Sequence, residues 1–143
     1  MKKLAIIFFI GIIIIVGISY MYLNYKFQYN ESKKANNQFE SYYNQEIYGS
    51  ELATIMNKAI DKNESNQVTK DNKGKYINND KNSINIDIKM LDDDKTHFME
   101  EFYMNGMQNF VKYYNPIKFK CTKIEYHKST NNIKYMMFEQ ITK

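Results

Sequence analysis

The chain has 143 residues, with 20 lysines, no arginine and a formal net charge of +4. Three of those lysines precede the first acidic residue, Glu31, and the part from residue 27 onward carries 17 lysines against 16 acidic residues. This near-neutral part lacks the bidentate guanidinium group, which argues against nucleic-acid binding. The single cysteine, Cys121, excludes an intrachain disulfide, and the length allows one small domain.

An uncharged run, LAIIFFIGIIIIVGISYMYL, covers residues 4–23 behind the flank MKK. A helix of about 20 residues crosses the roughly 30 Å hydrocarbon core of a bilayer. A secretory signal has a shorter apolar region and then a small-x-small cleavage site. The best such site here, the tripeptide GIS at residues 17–19, would leave an apolar new terminus. The run therefore predicts an uncleaved transmembrane anchor, with a cleaved signal as the alternative.

The two ends of this run differ in their side chains. Tyr20, Tyr22 and Tyr25 fall at its far end, where amphipathic aromatic rings prefer the membrane interface. Residues 1–3, with two lysines, form a short flank on the other side. Comparison with the later lysines gives a modest positive-inside bias toward a cytoplasmic N-terminus. We therefore expect a single-pass protein of the cell membrane with its C-terminal domain outside the cytoplasm.

Residues 24–46 are polar and aromatic, without proline or glycine, and we interpret them as a helical tether. The domain proper is expected over residues 47–143. Its first element is an amphipathic helix, because apolar residues recur at positions 52, 55, 56, 59 and 60. Ser50 is the expected N-cap of that helix.

Two strand patterns follow the helix. Residues 68–70 and 75–77 flank Gly74, whose tolerance of positive φ favours a short hairpin. Residues 84–90 alternate between apolar and polar side chains, with Ile84, Ile86 and Ile88 on one face. This alternation predicts a strand with one buried and one solvated face.

The helical period returns over residues 98–114, which end before Pro116. The pattern predicts one continuous helix. Gly106 lies within its apolar stripe, where it costs about 1 kcal/mol of helix propensity relative to alanine. We expect that cost to be offset by a close approach of the helix to the strand face of residues 84–88.

The last segments, residues 117–127 and 133–141, predict a hairpin. Both lose the simple two-residue period along their length. Either a bulge near Thr122 re-aims the first strand, or both faces of these strands are covered. Coverage of both faces is the interpretation we favour. The whole pattern predicts an α+β fold, a small two-layer domain with two helices on a mainly antiparallel sheet of about 4–5 strands.

Few residues carry recognisable chemistry. His97 and His127 lack the spacing of zinc ligands and are expected to be exposed to solvent. The acidic run at residues 92–94 lacks the register of a calcium loop and predicts a solvated turn. Cys121 shares a strand face with apolar residues, which predicts a buried thiol rather than a reactive one. We therefore expect no catalytic residues, no metal and no cofactor.

A binding pocket is the alternative to a purely structural surface. The interface between the helix at residues 98–114 and the sheet could hold a small ligand. Tyr103, Tyr113 and Tyr126 would then offer the polar contacts.

A resemblance is carried by the segments YGSELATIMNKAIDKNE, YINNDKNSINIDIKML, FKCTKIEYH and MMFEQ, in this order behind an N-terminal anchor. Over residues 47–140 the chain resembles a group of small uncharacterised membrane-anchored extracytoplasmic proteins of low-GC Gram-positive bacteria. It is also similar, more weakly, to pilin-like subunits, although the glutamate expected at the prepilin position is missing. The resemblance implies the anchored α+β architecture and no particular activity.

These observations together predict a function. A structural or protein-interaction subunit of a cell-envelope assembly, without catalysis, fits the anchor and the shortage of chemical motifs. A sensor-like or small-ligand binding domain is the first alternative, and a pilin-like subunit is the second. The lipid bilayer, through residues 4–23, and envelope proteins are the expected partners.

Overall fold

The computed structural model describes residues 2–142. Four helices and five strands follow one another along the chain. In order they are α1 (Lys2–Glu40), β1 (Glu46–Tyr48), α2 (Gly49–Ser65), β2 (Asn85–Lys89), β3 (Thr96–Phe98), α3 (Met99–Met104), α4 (Met107–Tyr114), β4 (Lys118–Tyr126) and β5 (Ile133–Gln140).

The five strands form a single mixed sheet in the order β1-β4-β5-β2-β3. All neighbouring pairs are antiparallel except β2 and β5, which run parallel at the centre. One face of the sheet supplies fully buried side chains to the core, among them Ile86, Ile88, Phe119, Met136 and Phe138. Helix α2 covers this face with Leu52, Ile55 and Met56. The predicted α+β fold with a mainly antiparallel sheet is confirmed.

Helix α1 runs without interruption for 39 residues. Its apolar half is long enough to cross a membrane, and none of that apolar stretch is buried by the rest of the chain. Its last turns are different, because Ser32, Asn36 and Phe39 are buried on one side of the helix. Phe39 is only 1% exposed and belongs to the core of the domain. The end of the segment interpreted as a tether is thus packed into the domain.

The start of α2 differs from the prediction. The helix begins at Gly49 after the extended residue Tyr48, and no side chain caps it. The Gly49 N–H instead donates to the carbonyl of Ile117 at 2.9 Å. A β-carbon at Gly49 would overlap the carbonyl of Tyr114, so this close approach requires glycine. A tertiary contact, and not the predicted N-cap Ser50, sets where α2 begins.

The predicted helix over residues 98–114 is broken into α3 and α4. Gly106 lies between them with φ +90° and ψ 110°, outside the helical region. A β-carbon there would meet the side-chain amide of Asn109 at 3.3 Å and no strand residue. The continuous helix and the predicted contact of Gly106 with the strand at residues 84–88 were both wrong. The glycine is needed for its backbone conformation, which an L side chain rarely adopts.

The short hairpin predicted around Gly74 is reduced to a turn with one bridge, between Lys70 and Tyr76. Gly74 has the positive φ that was predicted, at +82°. The Asp71 carboxylate accepts hydrogen bonds from the N–H groups of Lys73 and Lys75, at 2.8 and 3.0 Å. These local bonds hold the turn without a strand on either side.

Strands β4 and β5 contain two irregularities. Cys121 lies opposite Phe138 whereas Lys123 lies opposite Met137, so Thr122 is an extra residue in β4. A second shift lies between Glu125 and Tyr126 of the same strand. The bulge near Thr122, which was the less favoured interpretation, is therefore the correct one. It keeps one face of β4 apolar although the sequence loses its two-residue period.

We predict that Gly106→Ala lowers the stability of the fragment containing residues 24–143. Forcing an L side chain into this backbone region costs about 1–3 kcal/mol. The measurement is the urea midpoint, compared with that of Asn105→Ala. Asn105 is the exposed neighbour with an ordinary φ of −79°, so its substitution should change the midpoint little. A midpoint for Gly106→Ala equal to or above that of the unsubstituted fragment would contradict the proposed role of the positive φ.

Candidate functional site

A large cavity lies between the second half of α1 and the folded domain. It has a volume of about 680 Å³. Its walls come from α1, from the C-terminal end of α2, from the loop before β2 and from the turn that joins β4 to β5. We call it the α1 groove; its lining includes Tyr25, Tyr29, Phe39, Lys62, Ile84 and Lys128.

Two polar side chains of α1 attach the helix to the β4–β5 turn at the upper end of the groove. The Ser32 hydroxyl donates to the carbonyl of Thr130 at 2.9 Å. The Asn36 amide donates to the carbonyl of Asn131 at 2.7 Å and accepts from the N–H of Ile133 at 2.9 Å. Ile133 is the first residue of β5, so the Asn36 side chain accepts the hydrogen bond that a neighbouring strand would otherwise accept.

The other side of the same turn is held by the loop before β2. Ser129 and Thr130 donate their hydroxyl hydrogens to the carbonyls of Asp80 and Lys81. The ring of His127 lies 2.8 Å from the carbonyl of Ser83 through its Nε2. A carbonyl only accepts, so Nε2 carries the proton. His127 is buried, and the expectation that it would be exposed was wrong.

A second buried amide, Asn63, repeats this arrangement on α2. It donates to the carbonyl of Ile84 at 2.7 Å and accepts from the N–H of the same residue at 2.8 Å. The buried position of Asn63 was not predicted from the sequence. A signal was present, because Asn63 continues the i, i+4 line of Ile55 and Ala59 on the buried face of α2.

Lys62 is the charged group that lies deepest in the groove. Its ammonium lies 5.5 Å from the centre of the Phe39 ring and 3.4 Å from the carbonyl oxygen of Ala35. None of the ion pairs formed by residues 2–142 includes Lys62. Partial burial lowers the pKa of this ammonium group, because desolvation disfavours its charge. The groove thus contains a partly desolvated cation without an anionic partner.

The rim of the groove carries one charge of each sign. Lys128 lies in the β4–β5 turn and Glu31 lies on α1, and both are exposed. With Lys62 inside, the lining has an excess of one positive charge. An anion would therefore be attracted toward the groove, where Lys62 is the cation that is partly removed from water.

The three tyrosines predicted for the membrane interface lie on the outside of α1. Tyr20, Tyr22 and Tyr25 are all highly exposed. Tyr25 stacks on Tyr29 with 6.5 Å between ring centres, and both rings line the α1 groove. Of the predicted interface residues, Tyr25 lines the α1 groove and Tyr20 and Tyr22 do not.

The predicted tyrosine pocket is not formed. Tyr103, Tyr113 and Tyr126 belong to three different elements, all three are exposed, and none lines either cavity described for residues 2–142. The space between the helices and the sheet is filled by aromatic side chains. The ring of Phe119 lies 6.1 Å from that of Phe110 and 6.3 Å from that of Tyr114. Aromatic side chains therefore occupy the interface proposed for a ligand, and the structure does not bring the three tyrosines together there.

His97 forms a small surface cluster with two carboxylates. Its Nδ1 lies 2.6 Å from Glu101 and its Nε2 lies 2.8 Å from Asp93. Partial burial alone would lower the pKa of His97, but the bonds to Asp93 and Glu101 outweigh it and raise that pKa. The hydrogen bond from His97 lowers the pKa of Asp93 in turn. The predicted solvated acidic turn is confirmed, because Asp92, Asp93 and Asp94 are all exposed.

Cys121 is fully buried in the core, as predicted. Burial raises the pKa of its thiol to about 11. The thiolate is therefore scarce at neutral pH, and the side chain acts as a small apolar group. Among residues 2–142 no three side chains of the histidine, cysteine, aspartate or glutamate type are placed to hold a metal ion.

Comparison of the chain with protein-family models, with curated proteins and with solved structures found no match. The resemblance to small anchored extracytoplasmic proteins therefore stays a prediction.

We predict that Asn36→Ala destabilises the fragment of residues 24–143 by about 1–3 kcal/mol, because it leaves the buried N–H of Ile133 without an acceptor. The matched control is Asn37→Ala at the next, exposed position, which makes the same change in helix propensity. Urea midpoints of the two variants give the comparison. Equal midpoints would contradict a structural role for the Asn36 amide.

Proposed function

We propose that the protein is a membrane-anchored interaction subunit of the cell envelope. The α1 helix would hold the small domain at a fixed height and orientation outside the cytoplasm. The domain would bind a protein partner and carry out no chemistry of its own. The continuity of α1 from its apolar half into the core is the observation that carries this proposal.

The apolar half of α1 supports the anchor. It is a membrane-spanning candidate by length and composition, and the folded domain covers none of it. A soluble domain would gain nothing from so large an exposed apolar surface. Insertion of residues 4–23 into a bilayer removes this surface from water.

The second half of α1 supports a rigid connection. About 17 residues separate the end of the apolar run from the end of the helix, which corresponds to about 25 Å at 1.5 Å per residue. No proline or glycine interrupts this part of the helix. Its last two turns are fixed by Asn36 and Phe39. A hinged linker would lack such contacts.

Exposed apolar side chains at the end of the sheet opposite the β4–β5 turn support the proposal of a protein partner. The β4–β5 turn lies beside α1, so the opposite end of the sheet points away from the proposed membrane. That end carries four exposed apolar or aromatic side chains, which we call the distal patch: Tyr48, Leu91, Tyr113 and Ile141. Aromatic side chains of this kind are enriched in protein interfaces.

Their common position follows from the strand register. Tyr48 pairs with Lys118 at the start of β4, and the Ile141 N–H donates to the carbonyl of the same lysine at 2.9 Å. The N–H of Leu91 donates to the Gln140 side chain at 3.0 Å. Tyr48, Leu91 and Ile141 therefore gather where β1, β2 and β5 end. Tyr113 joins them because the backbone of the next residue, Tyr114, lies directly against Gly49, which follows Tyr48.

A photo-crosslinking side chain placed at Tyr113 in intact cells tests the proposal. We expect one reproducible protein adduct, identified by mass spectrometry. The matched control carries the same group at Tyr103, an exposed tyrosine on α3 outside the distal patch. The same scattered adducts from both positions would contradict a specific partner on the patch.

Location is checked in the same cells with a cysteine at Lys73, an exposed turn residue, and an impermeant maleimide. Labelling without lysis is the expected result, and the buried Cys121 gives little background. Labelling only after lysis would place the domain in the cytoplasm and contradict the proposed orientation.

A further inference from the structure

The α1 groove is enclosed by four segments that side-chain hydrogen bonds join into a ring. Ser32 of α1 donates to the β4–β5 turn at 2.9 Å, and Thr130 of that turn donates to the loop before β2. Asn66, at the end of α2, donates to the same loop at 3.1 Å. Lys62 of α2 closes the ring, because its ammonium lies 3.4 Å from a carbonyl of α1. These four junctions give the groove the pre-formed shape that is typical of small-molecule sites.

The groove has the size and the inner surface of such a site. Its volume is about 680 Å³, and sites for small organic molecules have volumes of about 300–1,000 Å³. Its lining includes Phe39, Ile84 and Ile133, which also belong to the hydrophobic core. An inorganic ion would fill a small part of this space and would not cover these apolar side chains. The groove therefore fits an organic molecule with an apolar body.

The polar side chains of the walls are engaged in joining the four segments. Ser32, Asn66, Thr130 and Asn132 each donate to a backbone carbonyl of another segment. Donors that are used in this way are not available to a ligand. A hydroxyl-rich ligand such as a sugar would find few donors here. The walls thus favour a ligand with an apolar body and one strongly polar group.

Lys62 defines the charge of that polar group. Its contact with the carbonyl of Ala35 is long for a hydrogen bond, at 3.4 Å. The acidic residue of the lining, Glu31, forms no ion pair with Lys62 among those found in residues 2–142. Hydrogen bonds between an ammonium and a carboxylate are shorter and stronger than neutral ones. The single charge of a carboxylate also balances the one excess positive charge of the lining, whereas a phosphate monoester carries nearly two negative charges.

The height of Lys62 along α1 shows from which side a ligand would arrive. Ala35, which Lys62 contacts, lies 12 residues beyond Leu23, or about 18 Å along the helix axis. The headgroup layer of a bilayer extends roughly 5–8 Å beyond the hydrocarbon core on each side. In a membrane crossed by residues 4–23, Lys62 would therefore lie above the headgroups. The ligand would be a molecule dissolved in water and not a lipid.

From these observations we propose that the α1 groove binds a small organic acid dissolved in water. Its carboxylate would lie beside Lys62 and its apolar body against Phe39, Ile84 and Ile133. The proposal goes beyond the proposed function, because it needs neither a partner on the distal patch nor insertion of α1 into a membrane. A bound acid would also add contacts between α1 and the domain.

The test uses the full chain in a non-ionic detergent, with dissociation constants measured by NMR chemical-shift titration of backbone N–H groups. The probes are 3-phenylpropanoate, its neutral amide 3-phenylpropanamide, and acetate, which has the charge without the apolar body. We expect 3-phenylpropanoate to bind about tenfold or more tightly than either of the others, as expected for a charge-assisted hydrogen bond together with a buried ring. The shifts should concentrate at residues of the groove, such as Ser65 and Asn131.

Two lysine variants test the role assigned to the ammonium group. Lys62→Gln should lose the preference for the acid over the amide by about tenfold. Lys58→Gln is the matched control, one turn earlier on α2, exposed and outside the groove lining, and it should keep that preference. An unchanged preference in Lys62→Gln would overturn the proposal.

A variant that keeps Lys62 tests the groove itself. Ser65→Trp places a large ring in the groove from an exposed position at the end of α2 and should weaken binding of 3-phenylpropanoate. Unchanged shifts outside the groove would show that the variant is folded. Undiminished binding by the folded variant would contradict the groove as the site. Equal binding of the acid and the amide, equal binding of acetate, or no saturable binding of 3-phenylpropanoate to the unsubstituted chain would also overturn the proposal.

Discussion

The attachment of the last two turns of α1 to the domain is the interaction on which the rest of the structure depends. Phe39 places an aromatic ring in the core, and burial of such a side chain contributes about 1.5–3 kcal/mol. Asn36 donates one hydrogen bond to the β4–β5 turn and accepts one from the first residue of β5. Because an α-helix is stiff, these contacts fix the whole of α1 relative to the sheet. In the proposed function, the positions of the α1 groove and of the distal patch relative to a membrane would follow from this one junction.

Much of the fold could be predicted because its signals are local. The apolar run, the stripe of α2 and the alternation of β2 each depend on a short segment and its period. The errors occurred where a distant contact decides the outcome. Gly49 begins α2 because the end of α4 approaches it, and no sequence rule near Ser50 contains that information. At Gly106 the glycine was recognised, but the sequence does not tell a packed helical glycine from one that ends a helix.

The candidate site could not be predicted in the same way. Its walls come from four separate segments of the sequence, and Lys62 has the local pattern of an ordinary surface lysine. Asn36 and His127 belong to residue types that are usually exposed, and they are buried here by partners about 95 and 44 residues away in the chain. The pocket predicted for Tyr103, Tyr113 and Tyr126 also depends on distant contacts. The rings of Phe110 and Phe119, from different elements, occupy the space proposed for a ligand.

The distance between α1 and the domain shows directly whether the two are rigidly connected. Spin labels on cysteines placed at Asn24 and Lys73, both exposed, would report this distance for the full chain in lipid nanodiscs. Cys121 is buried and should remain unlabelled. A rigid attachment of α1 to the domain predicts one narrow distance distribution. Phe39→Ala should broaden that distribution because it removes a core contact of α1. A broad distribution in the unsubstituted chain would show that the domain moves relative to α1, and would contradict a rigid connection.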